Sequence, residues 1–179
     1  MTKFTNKYQH THEVRFQKTW RFMNEVIKPT EKILDLGPSN PFSKIMVERG
    51  LDVQNTDKSI DLDFNYDIVK EANFDVVTAF QIFEHMVSPF PLLYHIKAPK
   101  LIASIPLNLW FSEIYWNDDD PFDRHYHEFE PKQFDMLLEK AGWKIIKSEK
   151  WINKSKKIGI RPFLRNFYPR HYIVYCERI

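Results

Sequence analysis

Apolar positions along the chain fall into runs of two alternating kinds. Val14, Phe16, Trp20, Met23 and the pair Val26-Ile27 recur at helical spacing over residues 11–27, and Pro29 ends the run. Lys32-Ile33-Leu34-Asp35-Leu36 then reads as a short buried strand closed by Gly37. Asn40 suits a helix cap and Pro41 the first helical position. Phe42, Ile45, Met46 and Val47 continue that helix, and Gly50 suits its stop. Residues 51–57 predict a second strand and residues 60–68 a short third. Residues 74–80 are nearly all apolar, the pattern of a strand covered on both faces. A short helix is predicted over 89–96, and residues 101–105 form another buried strand stopped by Pro106. Pro131 opens a helix that Gly142 ends, and residues 143–151 and 171–177 are two late strands.

Strand–helix units in this order predict an α/β chain with a mostly parallel sheet and helices on both faces. In such sheets ligands bind beyond the carboxyl ends of the strands, near the point where strand order reverses. The 179 residues make one domain, 1–179. Within it, 1–30 is an N-terminal helical segment, 107–130 an aromatic and acidic insert over the cleft, and 152–170 a basic aromatic loop.

Composition narrows the picture. A net charge of +2 gives no global attraction to nucleic acid or membrane. No apolar stretch is long enough to span a bilayer. The single cysteine, Cys176, rules out an internal disulfide and suits a reducing compartment. The polar start, Met1 to Lys7, lacks the apolar run of a signal peptide, so the location predicted is cytoplasmic. Nothing in the pattern signals an oligomeric state.

The candidate chemistry starts where the first strand ends. Gly37 lets backbone approach a ligand closely, and the following helix start offers N–H groups to a carboxylate or phosphate. Asp35 sits just before this turn. Twenty-two residues later Asp57 ends the second strand, where nucleotide-binding folds grip a ribose diol. The same residues also suit a plain strand–turn–helix with a solvent-facing aspartate, and the pattern G-x-G-x-x-G is absent.

Four segments in order resemble the class I S-adenosylmethionine-dependent methyltransferases of the small-molecule type. They are Ile33-Leu34-Asp35-Leu36-Gly37, Asp57, Asn73 through His85, and His127-Glu128-Phe129-Glu130-Pro131 followed by Leu137 to Trp143. The resemblance spans about residues 31–151. It implies a Rossmann-like, doubly wound, mostly parallel seven-stranded sheet with an antiparallel late strand, layered α/β/α. It implies S-adenosyl-L-methionine as cofactor, with its methionine part by Asp35, Gly37, Pro38 and Ser39. The ribose would sit on Asp57, and the adenine near Asp63, Phe80, Gln81 and Ile82. This turn departs from the family pattern, carrying one glycine between prolines that lack N–H donors.

Methyl transfer from a sulfonium mainly needs nucleophile and methyl held in line. A base is needed only when the acceptor must lose a proton. Glu84 and His85 fall where the cleft of such folds opens, so His85 is the first candidate for an acceptor contact or base; capping or packing the next helix is the other reading. His125 and His127 could also face the acceptor. Residues 118–127 hold four carboxylates and two histidines; a solvated acidic loop is preferred over a cation site, and no metal ligand is assigned. Trp110, Phe111, Tyr115 and Trp116 suit either a lid or packing at the sheet edge. Residues 144–170 carry nine Lys or Arg and one acid, Glu149, read as a solvated face or a site for a small anionic group rather than a nucleic-acid surface.

The function expected is methyl transfer to a small-molecule acceptor. The alternatives are a non-catalytic binding or scaffold protein of the same fold and a nucleic-acid methyltransferase. The last usually carries N/D-P-P-Y/F, where this chain reads Gln81-Ile82-Phe83-Glu84.

Overall fold

The computed structural model describes residues 9–120, 123–152 and 158–179. The polar start Met1 to Lys7, the pair Pro121-Phe122, and Lys154, Lys156 and Lys157 of the basic segment lie outside the described residues. The chain runs α1 (Gln9–Asn24), β1 (Lys32–Asp35), α2 (Pro41–Glu48), β2 (Asp52–Asn55), α3 (Asp67–Lys70), β3 (Val76–Phe80), a 3-10 turn (Phe83–His85), α4 (Pro89–His95), β4 (Lys100–Pro106), α5 (Pro131–Lys140), β5 (Trp143–Trp151), α6 (Ile160–Leu164) and β6 (His171–Arg178).

The strands form one sheet in the order β2-β1-β3-β4-β6-β5. Pairs β1–β2, β1–β3 and β3–β4 are parallel, while β6 runs antiparallel to both β4 and β5. Successive residues on a strand point to opposite faces, so β1, β3, β4 and β6 each feed two cores. Ile33, Val76, Ile102 and Ile173 pack with Phe22 and Met23 of α1 and with Phe42 and Met46 of α2. Leu34, Val77, Leu101 and Val174 pack with Leu92 and Leu93 of α4 and with Phe134 and Leu138 of α5. These cores hold the strand tips in place, and strand order reverses between β1 and β3.

The expected third strand at 60–68 is not formed, and the sheet has six strands among the described residues, not seven. Residues 58–59 and 62–64 are turns and the helix α3 follows. The cause is local. Asp57 Oδ1 accepts from the N–H of Ser59, Asp61 Oδ1 from that of Asp63, and Asn65 Oδ1 from that of Asp67. Each of these side chains bends the backbone two residues on and takes an N–H that a strand would pair.

Candidate active site

A cleft of about 510 Å³ opens beyond the tips of β1, β2 and β3, a volume in the ordinary range for a small-molecule site. Three loops wall it: Gly37-Pro38 after β1, Thr56 to Phe64 after β2, and Ile82 to Val87 after β3. Tyr126 reaches it from the 107–130 insert. Of the residues expected at the site, Gly37, Pro38, Asp57, Asp63, Ile82 and His85 line this cleft.

The sheet register fixes what lies behind it. Asp35 stands directly between Asn55 on β2 and Thr78 on β3. Its Oδ1 accepts from Thr78 Oγ1 at 2.6 Å and its Oδ2 from Asn55 Nδ2 at 3.0 Å. Asp35 therefore ties three strand tips together, and burial raises its carboxyl to about 6 despite the bonds from Thr78, Asn55 and Asn40. Asp35 lies beneath the cleft wall, as do two other expected residues. Phe80 packs edge-on against Phe42, and Gln81 holds φ 58 while its Nε2 donates to Ser104 Oγ.

Donors around the first turn are mostly committed. Gly37 N–H donates to Thr56 Oγ1 at 2.7 Å. The N–H groups of Phe42 and Ser43 donate to Asn40 Oδ1, and that of Asn40 to Ser43 Oγ. Pro38 and Pro41 have none. The capping box thus consumes the helix start that sequence alone offered to an anion. Within 37–43 the exposed Ser39 N–H is the one donor without a partner among the described residues.

Gly37 holds φ +96, and a Cβ there would meet Ile82 Cδ1 at 3.1 Å across the cleft floor. Gly37→Ala is expected to lose about 1–2 kcal/mol of stability from the backbone conformation and to push Ile82 into the cleft. A urea denaturation midpoint equal to that of the parent would contradict this.

Asp57 is exposed, and its Oδ1 accepts from both the N–H and the hydroxyl of Ser59. Those bonds hold its carboxyl below the usual range, so it is ionised at neutral pH. Its Oδ2 has no partner among the described residues. Asp63 has a different job. Its Oδ1 and Oδ2 accept from Ser88 N–H and Val87 N–H, each at 2.9 Å, stapling the loop after β3 to the loop after β2. Asp61, Thr56, Met86 and Tyr126 also line the cleft, and sequence reading missed all four. The step from Asp57 to Asp61 in one turn was the signal available for Asp61; nothing in the sequence placed Tyr126.

At the far end, the carbonyl of Glu84 accepts from Tyr126 N–H at 2.7 Å and His127 N–H at 3.3 Å. This lays the 123–127 loop over the 3-10 turn. His85 Nδ1 lies 3.1 Å from the Arg124 carbonyl, which accepts its proton and leaves Nε2 with a lone pair. Burial, then the neighbouring His125, lowers the imidazole's pKa, so it is neutral at pH 7. Glu84 is 1% exposed, and burial raises its carboxyl to about 8. His127 Nε2 meets the Val87 carbonyl at 3.1 Å and its ring stacks on Phe129. Neither Glu84 nor His127 lines the cleft; they position its wall.

The sequence matches no protein-family model and no curated protein sequence. Its fold matches solved structures. A methyltransferase from Archaeoglobus fulgidus described as S-adenosylmethionine dependent aligns with TM-score 0.66 and 18% identity, covering 93% of this chain and 94% of that one. One from Methanosarcina mazei aligns at 0.63 with 11% identity, covering 88% and 97%. Phosphoethanolamine N-methyltransferase 2 of Haemonchus contortus, solved with S-adenosyl-L-methionine, aligns at 0.59 with 10% identity, covering 90% of this chain and 52% of that one. The fold is that of the class I S-adenosylmethionine-dependent methyltransferases.

Proposed function

We propose that this chain is a methyltransferase that takes S-adenosylmethionine as cofactor and methylates a small-molecule acceptor. The observation that carries the reading is Asp57, an ionised carboxylate at the β2 tip that opens into the cleft at the strand-order reversal. The residues present fit an adenosyl group. Asp57 offers acceptor oxygens to ribose hydroxyls, and Ile60, Leu62, Ile82 and Met86 supply apolar surface for a purine. Asp61 and Asp63 lie at its polar edge. Gly37, kept free of a Cβ, with Pro38 and Ser39, takes the amino-acid end over Asp35. Phe80 and Gln81 set the wall from behind.

When bound, the cofactor would supply its sulfonium methyl group to the acceptor's lone pair and leave as the thioether S-adenosylhomocysteine. This chain's residues align the partners and exclude water. The 107–130 insert covers the acceptor end through Tyr126. His85, neutral and fixed by Arg124, handles a proton that the acceptor must lose. Glu84 and His127 hold that corner together. The single cysteine supports a cytoplasmic setting.

The acceptor class is tested by following S-adenosylhomocysteine formation with the low-molecular-mass fraction and the RNA fraction of a cell extract. Turnover is expected with the first, and His85→Ala should reduce turnover more than cofactor affinity. Turnover with RNA alone would overturn the small-molecule reading.

A further inference from the structure

Glu84, His85 and His125 form a cluster of which the methyl-transfer reading uses only His85 as a proton acceptor and Glu84 as support. One ligand atom from each lies within 4.8 Å of the others. His85 Nε2 is 4.0 Å from Glu84 Oε1, and the two imidazole rings meet edge to face at 4.8 Å between centroids. The orientation of both rings is set from outside the cluster. His85 Nδ1 is held by the Arg124 carbonyl, and His125 Nδ1 lies 3.3 Å from Glu128 Oε1. In each case the Nε2 is left with its lone pair, the arrangement by which a carbonyl or carboxylate orients a metal-bound imidazole. Glu84 Oε2 is buried with no hydrogen-bond partner among the described residues. An orphaned buried carboxyl oxygen is costly, and a cation that takes the place of the carboxyl's proton satisfies it.

We propose that Glu84, His85 and His125 bind one divalent transition-metal ion of the zinc or cobalt type at the acceptor end of the cleft. Two imidazoles and one carboxylate suit such ions; calcium and magnesium prefer oxygen alone. Ligand atoms around zinc stand roughly 3.3 Å apart, given bonds of about 2.0–2.1 Å. The cluster therefore closes by about 1–1.5 Å on loading, through rotation of the Glu84 carboxyl, whose Oε2 has no partner among the described residues. Three protein ligands leave a position open, and His85 carries the cluster to the cleft wall. A ligand oxygen bound there is polarised and loses its proton to solvent water more readily, which replaces His85 as proton acceptor once its Nε2 is on the metal. That role rests on the methyltransferase reading and points to a hydroxyl-bearing acceptor; the binding itself does not depend on it.

The test uses tag-free, metal-stripped protein titrated with Zn²⁺ alone, followed by calorimetry, and with Co²⁺ alone, followed by its visible d–d absorption. One equivalent is expected, and Glu84→Gln, His85→Gln and His125→Gln should each weaken it at least 10- to 100-fold. His95→Ala on α4 should leave it unchanged. A urea midpoint for each variant separates lost binding from lost fold, and the Co²⁺ spectrum of the parent protein reports nitrogen ligation without any substitution. No stoichiometric binding, or binding that all three substitutions leave intact, would overturn the proposal. Titrating the same proteins with S-adenosylhomocysteine keeps the two readings apart. Metal binding without nucleoside binding would leave the site standing and sink the methyltransferase.

Discussion

Asp57→Ala lowers the affinity for S-adenosylhomocysteine by roughly 10- to 100-fold, the scale of charge-assisted hydrogen bonds lost to a ribose diol. The melting temperature without ligand stays within about 2 °C of the parent, as for an ordinary surface substitution. The two outcomes separate because Asp57 is exposed and its side-chain hydrogen bonds among the described residues reach only Ser59 in the same turn. Nothing in the cores leans on it. Asp57→Asn keeps one acceptor oxygen and should fall between. Calorimetric titration of the three proteins measures this, and equal affinities would remove the ribose assignment.

Asp35→Asn abolishes a pH dependence of stability that the parent shows. The Asp35 carboxyl is raised from 3.8 to about 6 by burial between β2 and β3. Between those values the native state binds more protons than the unfolded chain. Asp35's contribution is therefore complete below about pH 4 and is lost as the pH rises through about 6. The loss is of order 2–3 kcal/mol. Between pH 4.5 and 7.5 the parent's urea midpoint should fall relative to the variant's. The offset between the curves reflects how Asn55 adapts to an amide neighbour, whereas the change in offset with pH isolates Asp35. Parallel curves would contradict a buried, high-pKa carboxyl at this tip.

Much of the scaffold was legible because its signals are short-range. Pro41 after Asn40 marked α2, and the structure adds Ser43 as the reciprocal half of the cap. The apolar runs at 32–36, 74–80 and 101–105 could hardly be anything but covered strands. Segment 60–68 misled for a physical reason. Asp61, Asp63, Asn65 and Asp67 alternate there with Leu62, Phe64, Tyr66 and Ile68, the period of a strand. Yet Asp61 and Asn65 turn the backbone with their own side chains, and Asp63 leaves the segment to hold Val87 and Ser88. The acceptor end was the least legible part. Glu84 meets Tyr126 and His127 about forty residues away through backbone atoms, which no side-chain pattern encodes. His125, beside His127 in sequence, is the histidine that turns toward His85.

The capping box sharpens the cofactor reading as well. With the N–H groups of Gly37, Asn40, Phe42 and Ser43 already engaged, the amino-acid end of a ligand finds mainly Ser39. Affinity then rests on the nucleoside end, on Asp57 and the apolar wall around Leu62 and Met86. Adenosine should compete for the cleft nearly as well as a ligand carrying the full methionine tail.

Whether this cleft holds an S-adenosyl group is measured most directly by thermal unfolding with S-adenosylhomocysteine. At about 100 times its dissociation constant the ligand should stabilise the fold by about 2.7 kcal/mol. For a chain of this length that is a rise of roughly 5–10 °C in melting temperature. A melting temperature unmoved by millimolar ligand would contradict the account.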